Sequence, residues 1–148
     1  MFLRFLIPAL MLVAVGGCAT YRDVNHEKLS SFSQHYEQFD LKMAWNVKAE
    51  GDKTILDGVI TNVRYNRIYD LELRVAALDN EGKTAAHSIF TMNELKRDDT
   101  VPFSTIVAMP ATPGTKLRFT YRYKSSDGGG MSGEDWMQSF ETIIPAGQ

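Results

Sequence analysis

Tyr69-Asp70-Leu71-Glu72-Leu73-Arg74-Val75-Ala76-Ala77 sets apolar side chains against Asp70, Glu72 and Arg74 with a period of two. That period is the mark of a half-buried β-strand, with one face on a core and the other in water. The same alternation recurs on both sides. Leu41, Met43, Trp45, Val47 and Ala49 share one parity, with Lys42, Asn46 and Lys48 between them. Leu117, Phe119, Tyr121 and Tyr123 alternate with Arg118, Thr120, Arg122 and Lys124. Residues 55–63, 84–92 and 101–109 supply three further candidates, and Trp136, Phe140 and Ile144 share a parity near the C-terminus.

The breaks between these runs carry turn chemistry. They fall at Glu50-Gly51-Asp52, Tyr65-Asn66-Arg67, Asp79–Gly82, Lys96–Thr100, Pro110–Gly114 and Asp127–Gly133. Seven short strands at regular spacing, with no long helix to cross between parallel strands, predict an all-β antiparallel sandwich. Before residue 40 the period changes. Leu29, Phe32, Tyr36 and Phe39 are three and four apart, which predicts a short amphipathic helix over His26–Phe39 or an extended lead-in lying on the domain.

Composition excludes several classes. The chain has 148 residues, 44% hydrophobic and 23% charged, which suits one globular domain. With Lys+Arg 16 against Asp+Glu 18 it lacks the basic excess that nucleic acid binding needs. The N-terminus is an address. Arg4 precedes an apolar run from Phe5 to Val15, broken only by Pro8, and Val15-Gly16-Gly17-Cys18 follows. The run is shorter than the roughly 20 residues that span a bilayer.

This N-terminal pattern resembles the lipobox of bacterial lipoproteins. The resemblance implies cleavage after Gly17, a diacylglyceryl group on the thiol of Cys18 and an acylated amine at the new terminus. Each buried acyl CH₂ contributes about 0.8 kcal/mol of membrane affinity, so several chains hold a protein on a bilayer. Cys18 is the single cysteine, so no disulfide competes for it. Ala19, where Asp would imply retention in the inner membrane, implies an outer-membrane, periplasm-facing protein in a Gram-negative source. The organisation expected is therefore a signal peptide over 1–17, a lipidated tether with the helix or lead-in over 18–39, and the sandwich over 40–148.

A second resemblance covers residues 54–123. Leu56-Asp57-Gly58-Val59-Ile60-Thr61-Asn62 is similar to the GxVxN strand of exported immunoglobulin-like domains of the FxLYD type. Ala77–Lys83 is similar to that family's strand followed by an Asp-x-x-Gly turn, and Val101-Pro102-Phe103 to its later strand entry. The chain departs from the pattern at Leu78, where the family has Tyr. The resemblance implies a seven-stranded immunoglobulin-like β-sandwich that acts as an accessory or binding module without shared catalytic residues.

Several residues have the types that carry chemistry, and each also has a plainer role. Gly128, Gly130 and Gly133 satisfy G-x-G-x-x-G, but no βαβ unit follows them, so they read as a loop between strands. His26, His35 and His87 have no metal-ligand spacing. Ser132 is followed by Gly133-Glu134 and so lacks the nucleophile-elbow pattern. Asp79-Asn80-Glu81-Gly82 reads as a hairpin turn rather than a calcium loop. Arg74, Arg118, Arg122 and Lys124 take outward parities on two strands, where Asp70 and Glu72 are expected to face them as cross-strand pairs; the alternative is a basic patch for anionic lipid or glycan. Trp45, Tyr121 and Tyr123 read as core. Trp136, after the glycine loop, is the candidate binding residue, although it also reads as part of a strand that closes the sandwich. No cofactor, metal or catalytic group is expected. The chain reads as a lipid-anchored, non-catalytic binding or accessory module with a protein partner in the cell envelope. The alternatives are a glycan- or peptidoglycan-binding module and, behind it, a small hydrolase.

Overall fold

The alternation at the centre of the chain is realised as β4 (Arg67–Leu78), the middle of one sheet of a two-sheet sandwich. The computed structural model describes residues 28–126 and 133–146. Cys18, the signal peptide, most of the tether, His26 and the loop residues 127–132 lie outside the described residues.

Eight strands are present among the described residues, one more than the sequence predicts. Sheet one has the order β1-β2-β3-β6, built from β1 (Gln34–Glu37), β2 (Leu41–Glu50), β3 (Lys53–Asn62) and β6 (Thr100–Val107). Sheet two has the order β5-β4-β7-β8, built from β5 (Thr84–Leu95), β4, β7 (Lys116–Ser126) and β8 (Glu134–Ile143). All neighbours are antiparallel. The pairings β3 with β6 and β4 with β7 carry the chain back and forth between the sheets, as in immunoglobulin-like sandwiches.

The additional strand is β1. Residues 28–30 form only one helical turn, and 34–37 are extended against β2, with Gln34 opposite Trp45 and Glu37 opposite Lys42. The helical spacing of Phe32, Tyr36 and Phe39 is therefore not expressed as an amphipathic helix. The extended alternative holds, and the sandwich begins before residue 40. Tyr36 stacks on Phe140 of β8 with ring centroids 3.6 Å apart, so β1 closes the side of the sandwich between the two sheets.

The core follows the parities of β2, β4 and β7, except that Ala49 is exposed at the end of β2; in residues 55–63, where both faces carry apolar groups, Leu56 and Ile60 turn inward. Leu41, Met43, Trp45, Leu56, Ile60, Leu71, Leu73, Val75, Leu117, Phe119 and Tyr121 are all buried. One parity is corrected. Tyr69 was grouped with Leu71 and Leu73, yet it is only half-buried, and Ile68 is the buried residue. The cause is a β-bulge. Tyr69 pairs with Lys124 and Glu72 with Arg122, so three steps on β4 match two on β7. Asp70 absorbs the extra residue with φ of 51°. A bulge reverses which face each earlier residue meets.

Gly58 explains the first half of the GxVxN stretch. A Cβ at Gly58 would collide with the Ala44 carbonyl oxygen and lie 2.6 Å from Phe103 Cε1 and 2.8 Å from Trp45 Cβ. The bare backbone leaves room for the Phe103 ring edge and the Trp45 side chain to close over β3. Asn62 explains the second half. It is fully buried, donates through Nδ2 to the Asn66 and Leu95 carbonyls, and accepts at Oδ1 from the Arg64 amide. The Leu95 bond ties the β3–β4 connection to the end of β5, and the other two brace the connection itself.

Candidate functional site

The connections β1–β2, β3–β4 and β5–β6 meet at one end of the sandwich. The Val63 amide donates to the Asp40 carbonyl, Asn62 N to Asp99 O, and Asp98 N to Asn62 O, at 3.0, 3.1 and 2.8 Å. Asp40 lies beneath this end and is fully buried. Its carboxylate accepts the Leu41 amide at 2.9 Å, the Tyr121 hydroxyl at 3.0 and 3.1 Å, and the Tyr123 hydroxyl at 3.0 Å. Arg64 Nη1 donates to the Tyr123 oxygen at 3.0 Å, so a guanidinium reaches the carboxylate through a phenol.

Burial raises the Tyr121 hydroxyl well above the ordinary phenol range, and the neighbouring Asp40 charge acts in the same direction. Tyr123 is raised by burial, against a lowering hydrogen bond from Arg64, and again by Asp40. Both phenols are therefore held as protonated donors. Their chemistry is structural: they satisfy a buried carboxylate and lock β7 to the β1–β2 turn.

Above this lock the surface is aromatic and cationic. Phe39 is 61% exposed and Tyr65 is 82% exposed. The Arg64 guanidinium sits 5.9 Å from the centroids of both Phe39 and Tyr123, and that of Arg97 sits 5.2 Å from Tyr65. These are cation–π distances. Trp136 meets Phe39 edge-on at 5.4 Å. The candidate binding residue thus belongs to β8, half-buried on the inner face at the sheet edge, where it helps close the sandwich. Its Nε1 is buried without a hydrogen-bond partner among the described residues, as are Trp45 Nε1 and Tyr36 OH.

A second feature lies on the outer face of sheet two, where the Asp70 bulge twists β4. It is an open concavity of about 610 Å³ lined by Asp70, Glu72, Asn93, Arg122, Lys124 and Asp135, among others. Its charges are matched as expected from the strand parities. Arg122 pairs with Glu72 at 2.8 Å and Lys124 with Asp70 at 3.1 Å. The hydrogen bond that Arg122 donates to Glu72 raises the pKa of the guanidinium. Arg118 pairs with Glu141 on β8 at 2.7 Å, while Arg74 has no ion pair among the described residues. Exposed pairs of this kind contribute about 0–1 kcal/mol each.

The remaining candidates take plain places. The Asp79 carboxylate accepts the amides of Glu81 and Lys83, both at 2.9 Å, which is an Asx-type hairpin turn. A Cβ at Gly133 would collide with the Ser125 carbonyl oxygen, so that glycine serves the approach of β8 to β7. His35 Nε2 lies 2.9 Å from the Leu29 carbonyl, and His87 is exposed on β5. Among the described residues no group of three His, Cys, Asp or Glu side chains could hold a metal ion, and no helix is long and apolar enough to cross a membrane.

Sequence reasoning missed Asp40, which fell at an assumed domain boundary. A signal was present in Tyr121 and Tyr123. Two tyrosines on an inward parity must find partners for their hydroxyls.

No protein-family profile matches the sequence, and no curated protein does. Solved structures do match in shape. The chain is similar to the GAE domain of GGA2p from Saccharomyces cerevisiae at 14% identity and TM-score 0.51, over 76% of this chain and 96% of that one. It is similar to the yeast GGA1 GAE domain at 14% identity and TM-score 0.50, over 74% and 96%. The putative ApaA protein from Bordetella pertussis gives 13% identity and TM-score 0.51, over 74% and 95%. At these identities the likeness concerns the fold alone. The protein is an all-β, immunoglobulin-like sandwich with two antiparallel four-stranded sheets.

Proposed function

We propose that this chain is a lipid-anchored, non-catalytic binding module of the bacterial cell envelope, tethered through Cys18 and contacting a protein partner through its loop end. The lipobox resemblance supports the anchor. One observation carries the binding reading. The exposed rings of Phe39 and Tyr65 each lie within reach of an arginine, at the end where three loops are cross-tied by a buried polar network. Aromatic and arginine side chains on a rigid base are the groups that dominate protein interfaces. The charged residues of the concavity, by contrast, largely neutralise one another, which leaves few groups there for an acid–base role.

Two measurements test the two halves separately. Cys18→Ser is expected to abolish lipid labelling and release the protein from the membrane fraction, and unchanged retention overturns the anchor. In-cell crosslinking of the full lipidated chain is expected to capture one abundant envelope protein. Phe39→Ser with Tyr65→Ser should reduce that capture about tenfold, the effect of losing one interface hot spot. Undiminished capture by the double variant, or capture of peptidoglycan fragments in place of protein, overturns the loop-end reading.

A further inference from the structure

The sandwich has four edge strands, and three are guarded. β1 is only four residues long and carries Glu37, which pairs with Lys42 at 2.6 Å. β6 contains Pro102, which has no amide hydrogen to offer an incoming strand. β8 places Asp135 and Glu141 on its exposed parity. The fourth edge is β5, twelve residues long, whose backbone ladder among the described residues is with β4 alone; Ser88 also accepts from the Thr105 hydroxyl of β6 and the Leu95 carbonyl from Asn62. From Thr84 to Asn93 it holds no Lys, Arg, Asp, Glu, Pro or Gly. Glu94 lies at its end and is already paired with Arg67 at 2.9 Å. A long uncharged edge is an open template for another strand.

We propose that β5 is a self-association edge, on which a second copy of this chain pairs its own β5 antiparallel about a two-fold axis at Ile89. The choice of a second copy follows from the strand itself. An edge reserved for a foreign segment has to reject its own copy, and charge is the usual device. β5 has none over ten residues, so no like charges meet in a pairing centred on Ile89. The sequence is also self-complementary about that point. Ile89, which is 49% exposed, faces its own symmetry mate. On the inner face Phe90 then lies opposite Ser88, and Met92 opposite Ala86, large against small in each case. On the outer face His87 lies opposite Thr91. Directly opposed side chains on one face are the contacts that stabilise a sheet pair. The result is an isologous dimer with one continuous eight-stranded sheet. Neither the Cys18 anchor nor the loop end is involved, so this proposal stands or falls apart from the proposed function.

The test uses the purified full chain in detergent micelles. Ile89→Cys is expected to give a disulfide-linked species of twice the chain mass under mild oxidation. Ile143→Cys and Met137→Cys, at exposed apolar positions on β8, are expected to give none. The wild-type chain, oxidised in parallel, reports any link made by Cys18. Without oxidant, Ile89→Lys is expected to weaken dimerisation at least tenfold in sedimentation. Equal crosslinking at the β8 positions, a monomeric wild-type chain at all concentrations, or a dimer indifferent to Ile89→Lys overturns the proposal.

Discussion

Asp40 and Glu72 are both carboxylates joined to β7, and they stand at opposite ends of the energetic range. Glu72 meets Arg122 across the outer face of sheet two, in water, at 2.8 Å. Asp40 meets two tyrosines and an amide with no solvent exposure at all. The outer pair is an attraction between groups that water would also serve well. The inner cluster has no such substitute, because the Asp40 carboxylate is the acceptor for both phenols and water does not reach it. Burial, more than charge or distance, decides which carboxylate the fold depends on.

The largest break in that contrast is Asp40→Ala. It leaves two phenols and one amide buried without an acceptor, and is expected to destabilise the domain by about 3–5 kcal/mol in denaturant unfolding. A loss under 1 kcal/mol would show that water enters beneath the loop end. Tyr121→Phe removes one donor and keeps the ring, with an expected cost of about 1–2 kcal/mol. The pH profile sharpens the same point. Tyr121 and Tyr123 titrate higher in the folded protein than in the unfolded chain. Their contribution is complete below the unfolded phenol value of about 10 and is lost as pH rises above it. Alkaline titration is therefore expected to show tyrosinate appearing together with unfolding for these two, and Tyr123→Phe should flatten the stability loss. Last comes the outer face. Glu72→Ala with Arg122→Ala should give a coupling energy near the detection limit of a double-mutant cycle, shrinking further in high salt. Asp57 belongs to this weak group. Its pKa is lowered by the Ser104 hydroxyl and then by Lys48, so its small contribution is present above the unfolded carboxylate value and lost as pH falls through the folded one.

The same contrast marks what the sequence could disclose. That Asp70 and Glu72 would face basic residues of a neighbouring strand was legible, because outward parities bring such groups together by geometry alone; which meets which was not, since the bulge at Asp70 sets the register. Asp40 was not. A buried carboxylate in a turn looks like any turn aspartate until strands far along the chain deliver their hydroxyls to it. Tyr69 was misplaced for a related reason. A bulge is a mismatch between two strands, and β4 carries no local mark of it beyond an aspartate at Asp70. β1 was undecided because four residues carry too few turns of either period. Its strand state comes from Trp45 and Phe140, both remote in sequence. Asn62 and Gly58 were visible as a motif, but their work, capping one loop and admitting the Phe103 ring edge beside Trp45, appears only in three dimensions.

β1 has a mechanical consequence. Tension arriving along the chain from its N-terminal side meets this strand before any other. Four paired residues, the stacked Tyr36 ring and a short turn stand between that pull and the body of the sandwich. Releasing residues 34–39, up to but not including the buried Asp40, adds about 20 Å of contour length. The seven strands beyond stay hydrogen-bonded to one another, so β1 acts as a yielding clip ahead of the rest of the domain.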